Sequence, residues 1–285
     1  MDLTKVKAEA DKLGKDYKAK ALALLTRMEE VVEGIGDEPI RWRPPMLKMV
    51  QGTTDRTTIP KGSAVGDFLL NETKIEHPMK FIPLRIWEGR QFWSPDPNES
   101  KMLCSSPDAK LGYIGAYCNQ CPHGKFNEET RKSECAKTQN VLAITPDLSQ
   151  VFITSFSKTN YQTGLGLKTQ ATKAGVALYR RIYALSSETN KTYKNVENYS
   201  LQLLDEKERN TPAELLPFLK ELFDSATEDR KITVDKFHEL ILSRKASGAA
   251  LPAPEQENNT VTLTDNSQAT DVTSTVSDLA KNYQV

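Results

Sequence analysis

Apolar positions early in the chain recur three or four residues apart, at Leu3, Val6, Ala10, Leu13, Tyr17, Ala21, Leu24, Met28 and Val31. That spacing predicts one long amphipathic helix over 1–38, ended by the glycines and proline of "GIGDEP". Its single stripe either packs on the chain's own body or pairs with a second copy or a partner. Beyond residue 39 the period shortens. "MKFIPLRIWEGRQFW" alternates large apolar and cationic residues about Glu88 and Gly89, which predicts a hairpin. "NVLAITPDLSQVFITSFS" places apolar runs at 141–144 and 151–156 around a Pro-Asp turn. "GLKTQATKAGVALYRRIYALSS" reads as a helix. In "TPAELLPFLKELF", Thr211 stands as the cap, Pro212 at the first helical position and Glu214 three residues after the cap, a capping box. A second helix follows in "VDKFHELILSR".

The pattern predicts an α+β chain in four parts: helix 1–38, a β-rich core 39–200 forming a small barrel or sandwich, a helix pair 201–245, and a tail 246–285. The tail is rich in Ala, Ser, Thr, Asn, Gln and Pro, too polar to offset its ordering entropy, and is expected to be disordered. The link "SATEDRKITVDK" has the outline of a calcium hand. Calcium is not expected there, because Ser225, Arg230 and Lys236 replace the acidic first ligand, the glycine and the final Glu.

Composition narrows the class. Hydrophobic residues make up 38% and charged residues 27% of the 285, and no run approaches the roughly 18 apolar residues of a membrane span. The charged N-terminus lacks the apolar run of a signal peptide, so an intracellular setting with reduced thiols is expected. Net charge is zero but unevenly spread. Residues 39–200 carry 22 Lys and Arg against 14 Asp and Glu, while 201–285 carry 9 against 15. A basic body with an acidic end suits a polyanionic partner.

All four cysteines fall within one segment, Cys104, Cys118, Cys121 and Cys135, spaced C-x13-C-x2-C-x13-C. In a reducing compartment this set can converge on structural zinc, four thiolates leaving no open position for catalysis. The zinc would serve as the core of a loop with little apolar content. His123, next to the Cys118–Cys121 pair, is an alternative ligand. A redox pair would need a strand-to-helix setting that the pattern lacks.

Cations and aromatics interleave on either side of this loop, in "RWRPP", "LRIWEGRQFW" and "FSKTNYQTGLGLKTQ". Such pairing holds single-stranded nucleic acid, cations on phosphates and rings on bases. Arg85, Arg90, Lys158, Lys168, Lys173, Arg180 and Arg181 are the candidate phosphate contacts, and Trp93 and Tyr161 the candidate stacking rings. Trp87, Phe81 and Phe152 read instead as core. "TGLGLKT" lacks the spacing of a phosphate loop, and no nucleophile setting for a hydrolase is visible. Asp96 with Asp108 and Lys110 loosely matches a metal-dependent nuclease pattern.

The segments "PPMLKMVQG", "PKGSAVGDFLLNETK", "CSSPD" and "CNQCPHG", in this order, resemble a group of bacteriophage-encoded proteins of poorly defined function. The layout is also similar to phage single-stranded DNA-binding proteins of the T4 type. That resemblance implies an OB-like barrel with an inserted zinc loop and an acidic C-terminal region that recruits replication proteins. The T4-type site uses a histidine with three cysteines, where this chain has four cysteines. Together these imply a phage protein that binds single-stranded DNA in replication, recombination or transcription. It would act in the cytoplasm of an infected bacterial host, without chemistry of its own, with protein partners at its helical ends and tail, and as a homo-oligomer if the N-terminal stripe pairs copies. The alternatives are a phage RNA polymerase cofactor acting through the N-terminal stripe and the C-terminal helices, or the nuclease.

Overall fold

The computed structural model describes residues 2–29, 31–32, 40–41, 44–52, 54, 57, 59–95, 101–129, 133–191, 196–202 and 204–246. Trp42, Arg43, Asp96 and the expected disordered tail beyond residue 246 lie outside the described residues. Among the described residues the chain is α+β and forms two compact units, 2–87 with 139–229 and 88–138 with 230–246.

In the first unit the N-terminal pattern resolves into two helices, α1 (Thr4–Ala10) and α2 (Lys15–Glu29). The break falls at 11–14, where Asp11 caps α1 through its N–H on the Lys7 carbonyl and a Cβ on Gly14 would stand 3.2 Å from Glu214 Oε2. The stripe continues across the break. Leu3, Val6, Ala10, Leu13, Ala21, Leu24 and Leu25 are all buried in one core with Ile82, Leu84, Leu142, Ile144 and Phe218. The chain's own body therefore covers this surface, which a partner-binding stripe would have left open.

Among the described residues eleven strands follow in chain order: β1 (Val31–Val32), β2 (Ile40–Arg41), β3 (Met46–Met49), β4 (Phe68–Leu70), β5 (Thr73–Ile75), β6 (Met79–Trp93), β7 (Met102–Ser106), β8 (Cys135–Ile144), β9 (Val151–Ser157), β10 (Tyr183–Thr189) and β11 (Glu197–Gln202). β1 and β2 pair as a small ribbon. The main sheet runs β11-β10-β6-β8-β9-β3-β4-β5. It is mixed, since β3 lies parallel to β9 and antiparallel to β4, and it curls into a half-barrel.

Both faces of this sheet are covered. Along β8, Leu142 and Ile144 join the core with α1 and α2, while Val141 and Ala143 join a second core with Phe68, Phe81, Phe152 and Phe156. A strand buried on both sides reads as a continuous apolar run, and "VLAI" is one. Phe81 and Phe152 are core residues, and Trp87 packs half-buried against the first core.

α3 (Tyr161–Ala174) lies against β9 and β11 through Gly164, Leu167 and Ala171. It ends on Gly175 in the left-handed region at φ +62°, the usual stop for a helix. The segment expected to be helical to residue 187 thus leaves the helix at 174 and enters β10. Gly164 allows the close approach, because a Cβ there would stand 2.5 Å from Gln139 Cβ.

Two further expectations change. β6 runs unbroken through Glu88 and Gly89, with Gly89 in extended backbone, so no hairpin turn forms there. α4 (Leu216–Ala246) is one helix of 31 residues where two were expected. No capping box precedes it. Thr211 Oγ1 donates instead to the Tyr179 carbonyl at 2.8 Å, and the first turn at Ala213–Leu215 has Pro212 as its cap.

The second unit has a small core. Phe92 and Cys104 face each other across the β6–β7 pair, joined by Leu111, Tyr113, Cys135, Phe237 and Ile241. Two of these seven buried groups are cysteines, so the apolar content alone is thin for a stable fold. From α4, the buried Arg230 donates to the Pro107 carbonyl at 2.6 Å, and His238 Nε2 lies 3.2 Å from Asp108 Oδ2.

Candidate metal centre

The cysteine loop is folded by backbone bonds that bring its four cysteines to the wall of one cavity. Cys104 sits in β7, and the chain then turns at 107–109 with Ala109 at φ +60°. Leu111 and Tyr117 bridge across a tight turn, in which the Gly115 N–H donates to the Gly112 carbonyl. The Cys118 N–H donates to the Lys110 carbonyl at 2.8 Å and the Cys121 N–H to the Tyr117 carbonyl at 3.0 Å, which folds the close pair into a knuckle. Pro122 opens a short turn, Pro122–Gly124, closed by the Gly124 N–H on the Cys121 carbonyl. Cys135 begins β8. Ser133 Oγ lies 2.8 Å from the Cys135 carbonyl and 3.2 Å from that of His123, tying knuckle to strand.

Cys104, Cys118, Cys121 and Cys135 all line one cavity, together with His123 and Arg90. Its free volume is about 10 Å³, space for a single ion or water rather than for an organic substrate. The thiols are unpaired by disulfides, with three buried and Cys121 half-buried. Two glycines keep the wall close: a Cβ on Gly112 would meet Cys104 Sγ at 2.9 Å, and one on Gly124 would meet the Cys118 carbonyl oxygen at 2.9 Å.

Burial pushes Cys104 up to about 11, opposed by the N–H groups of Ile114 and Tyr113. Cys135 is likewise pushed up to about 11, first by burial and then by the charge of Cys104, with Arg90 opposing. Burial raises Cys118 too, against the Ser106 hydroxyl and Arg90. The sulfurs are near enough that ionising one disfavours ionising another. Three thiols raised in this way, at Cys104, Cys118 and Cys135, can ionise together only beside a cation. Among the described residues, no group of three or more His, Cys, Asp or Glu side chains is arranged to hold a metal ion.

His123 stacks on Phe92 at 4.3 Å, and its Nδ1 lies 2.6 Å from Glu134 Oε2. A carboxylate on one ring nitrogen orients the other, so His123 fits a place in or beside the donor set.

The expected nucleic-acid contacts divide between the units. Lys158, Lys168, Lys173 and Arg180 are exposed in the first unit, and Arg181 is half-buried. Lys168 and Lys173 stand on the outward face of α3, opposite its buried Leu167 and Ala171. None of these five cations makes an ion pair with a described residue, and residues 148–187 contain no Asp or Glu. Arg85 is half-buried in the middle of β6. Tyr161 is tied down, its hydroxyl accepting from Gln139 Nε2 at 3.2 Å. In the second unit Trp93 is 38% exposed at the end of β6, whereas Arg90 lines the cysteine cavity.

Sequence reasoning missed the exposed rings of Tyr117 and Phe126, 46% and 65% accessible on the cysteine loop itself. Lys125, next to Phe126 in the chain, was the available signal. Asp108, the nuclease candidate, is held by the Lys110 N–H, Ser106 Oγ and His238, with Asp96 outside the described residues. No described helix is long and apolar enough to cross a membrane. In comparisons with family models, curated proteins and solved structures, nothing matches the chain.

Proposed function

We propose that this chain is a phage-type single-stranded nucleic-acid-binding protein, DNA being the favoured strand, acting in replication, recombination or transcription without chemistry of its own. In this reading the curled sheet is an OB-like barrel. One structural zinc ion, held by Cys104, Cys118, Cys121 and Cys135, gives the second unit the rigidity that its small apolar core lacks. Binding takes place in the cytoplasm of an infected bacterial host, and replication or transcription proteins are the expected partners.

The observation that carries the nucleic-acid reading is the acid-free stretch 148–187, whose five cations have no ion-pair partner among the described residues. Unpaired cations on one segment favour a polyanion, and releasing its counterions drives binding. Five phosphate contacts on a single strand predict a slope of log affinity against log salt of about −3.5. Titration with oligo-dT at several salt concentrations measures it. A steep slope that flattens in Lys168→Ala/Lys173→Ala supports the reading, and absent or salt-insensitive binding rejects it.

A further inference from the structure

We propose that Arg90 is the charge-compensating and positioning residue of the cysteine centre, and not a phosphate contact. This rests on the metal reading above. A zinc ion with four thiolates carries two net negative charges, and placing that charge in a largely buried site is costly unless a cation and hydrogen-bond donors stand beside it. Arg90 is the guanidinium that lines the same cavity as the four cysteines.

Its geometry is that of a built contact. Nη1 donates to the Gly124 carbonyl at 3.3 Å, fastening Arg90 to the turn directly after the Cys118–Cys121 knuckle. Gly124 must be a glycine for this, since a Cβ there would stand 2.7 Å from Nη1. On the strand side, Arg90 pairs in register with Ser106, two residues beyond Cys104. Meanwhile Arg90 Nε is buried and has no hydrogen-bond partner among the described residues. A neutral thiol is a weak acceptor, whereas a metal-bound thiolate is a good one, so loading the centre would supply the acceptor that this N–H lacks. The planar fork lets one side chain hold the knuckle carbonyl and a sulfur together, which a lysine could not do.

The test is cobalt(II) titration of the full chain, following thiolate-to-cobalt charge-transfer absorption, with chelator competition for affinity. Arg90→Met is expected to weaken metal binding about 10- to 100-fold, the range for residues that support ligands, and to shift the absorption. Arg90→Lys, which keeps the charge and the stem but not the fork, is expected to restore only part of the affinity; it also decides the matter if Arg90→Met fails to fold. The salt slope for oligo-dT should stay unchanged in Arg90→Met, which removes the charge. Unchanged cobalt affinity and spectrum in both variants, with a slope flatter by about 0.7 in Arg90→Met, would make Arg90 a phosphate contact and overturn the proposal. No charge-transfer band in the unsubstituted chain would remove the metal centre and with it this role.

Discussion

At the residue scale, Asp67 shows how a buried charge ties a loop to a strand. Its Oδ2 accepts from the Ala64 N–H at 2.7 Å and lies 2.8 Å from Lys74 Nζ. Burial alone would raise the carboxyl, but these partners outweigh it and hold the carboxyl below its ordinary 3.8. A group whose value is lower when folded stabilises the fold above its unfolded value, and that contribution is lost as pH falls through the folded one. Stability is therefore expected to drop below about pH 4 in the natural chain, and less steeply in Asp67→Asn. Urea midpoints across that range check it; parallel curves would show that Asp67 contributes nothing to the pH dependence. Residue chemistry was unevenly legible from sequence. Cysteine spacing pointed to one cluster, and all four line one cavity. The role of Arg90 was hidden, because a cation beside aromatics reads alike whether it faces solvent or a sulfur cluster.

At the scale of elements, local pattern found the segments and often missed their ends. Glu88 and Gly89 suggested a turn, yet β6 continues through them, since a lone glycine in extended backbone needs no special conformation. The expected gap between two C-terminal helices did not form, as no Gly or Pro interrupts residues 218–246 to stop α4. The N-terminal stripe was read correctly as one face but not as two helices, because periodicity survives the break at 11–14. What the pattern could not reveal is which strands are covered on both sides, a property of the sheet order. Helix α3 makes this testable. An added Cβ at Gly164 would meet Gln139 Cβ at 2.5 Å and Phe156 Cβ at 3.1 Å. Gly164→Ala should destabilise the first unit by about 1–3 kcal/mol despite its better helix propensity. Thermal unfolding reads the change, and an unchanged or raised midpoint would mean that α3 is not packed this closely.

For the whole molecule, the two units have different physical needs. The first contains two large apolar cores, one on either face of a continuous sheet, and can stand on burial. The second depends on a small core in which cysteines take two of seven places. Metal is what would close that gap, at about 10 kcal/mol or more of apparent binding energy for a structural zinc site. Elemental analysis of the full chain, purified without chelator, tests this claim most directly. About one zinc per chain is expected, lost in Cys118→Ser. Folded protein with no bound metal and four freely titrating thiols would contradict it.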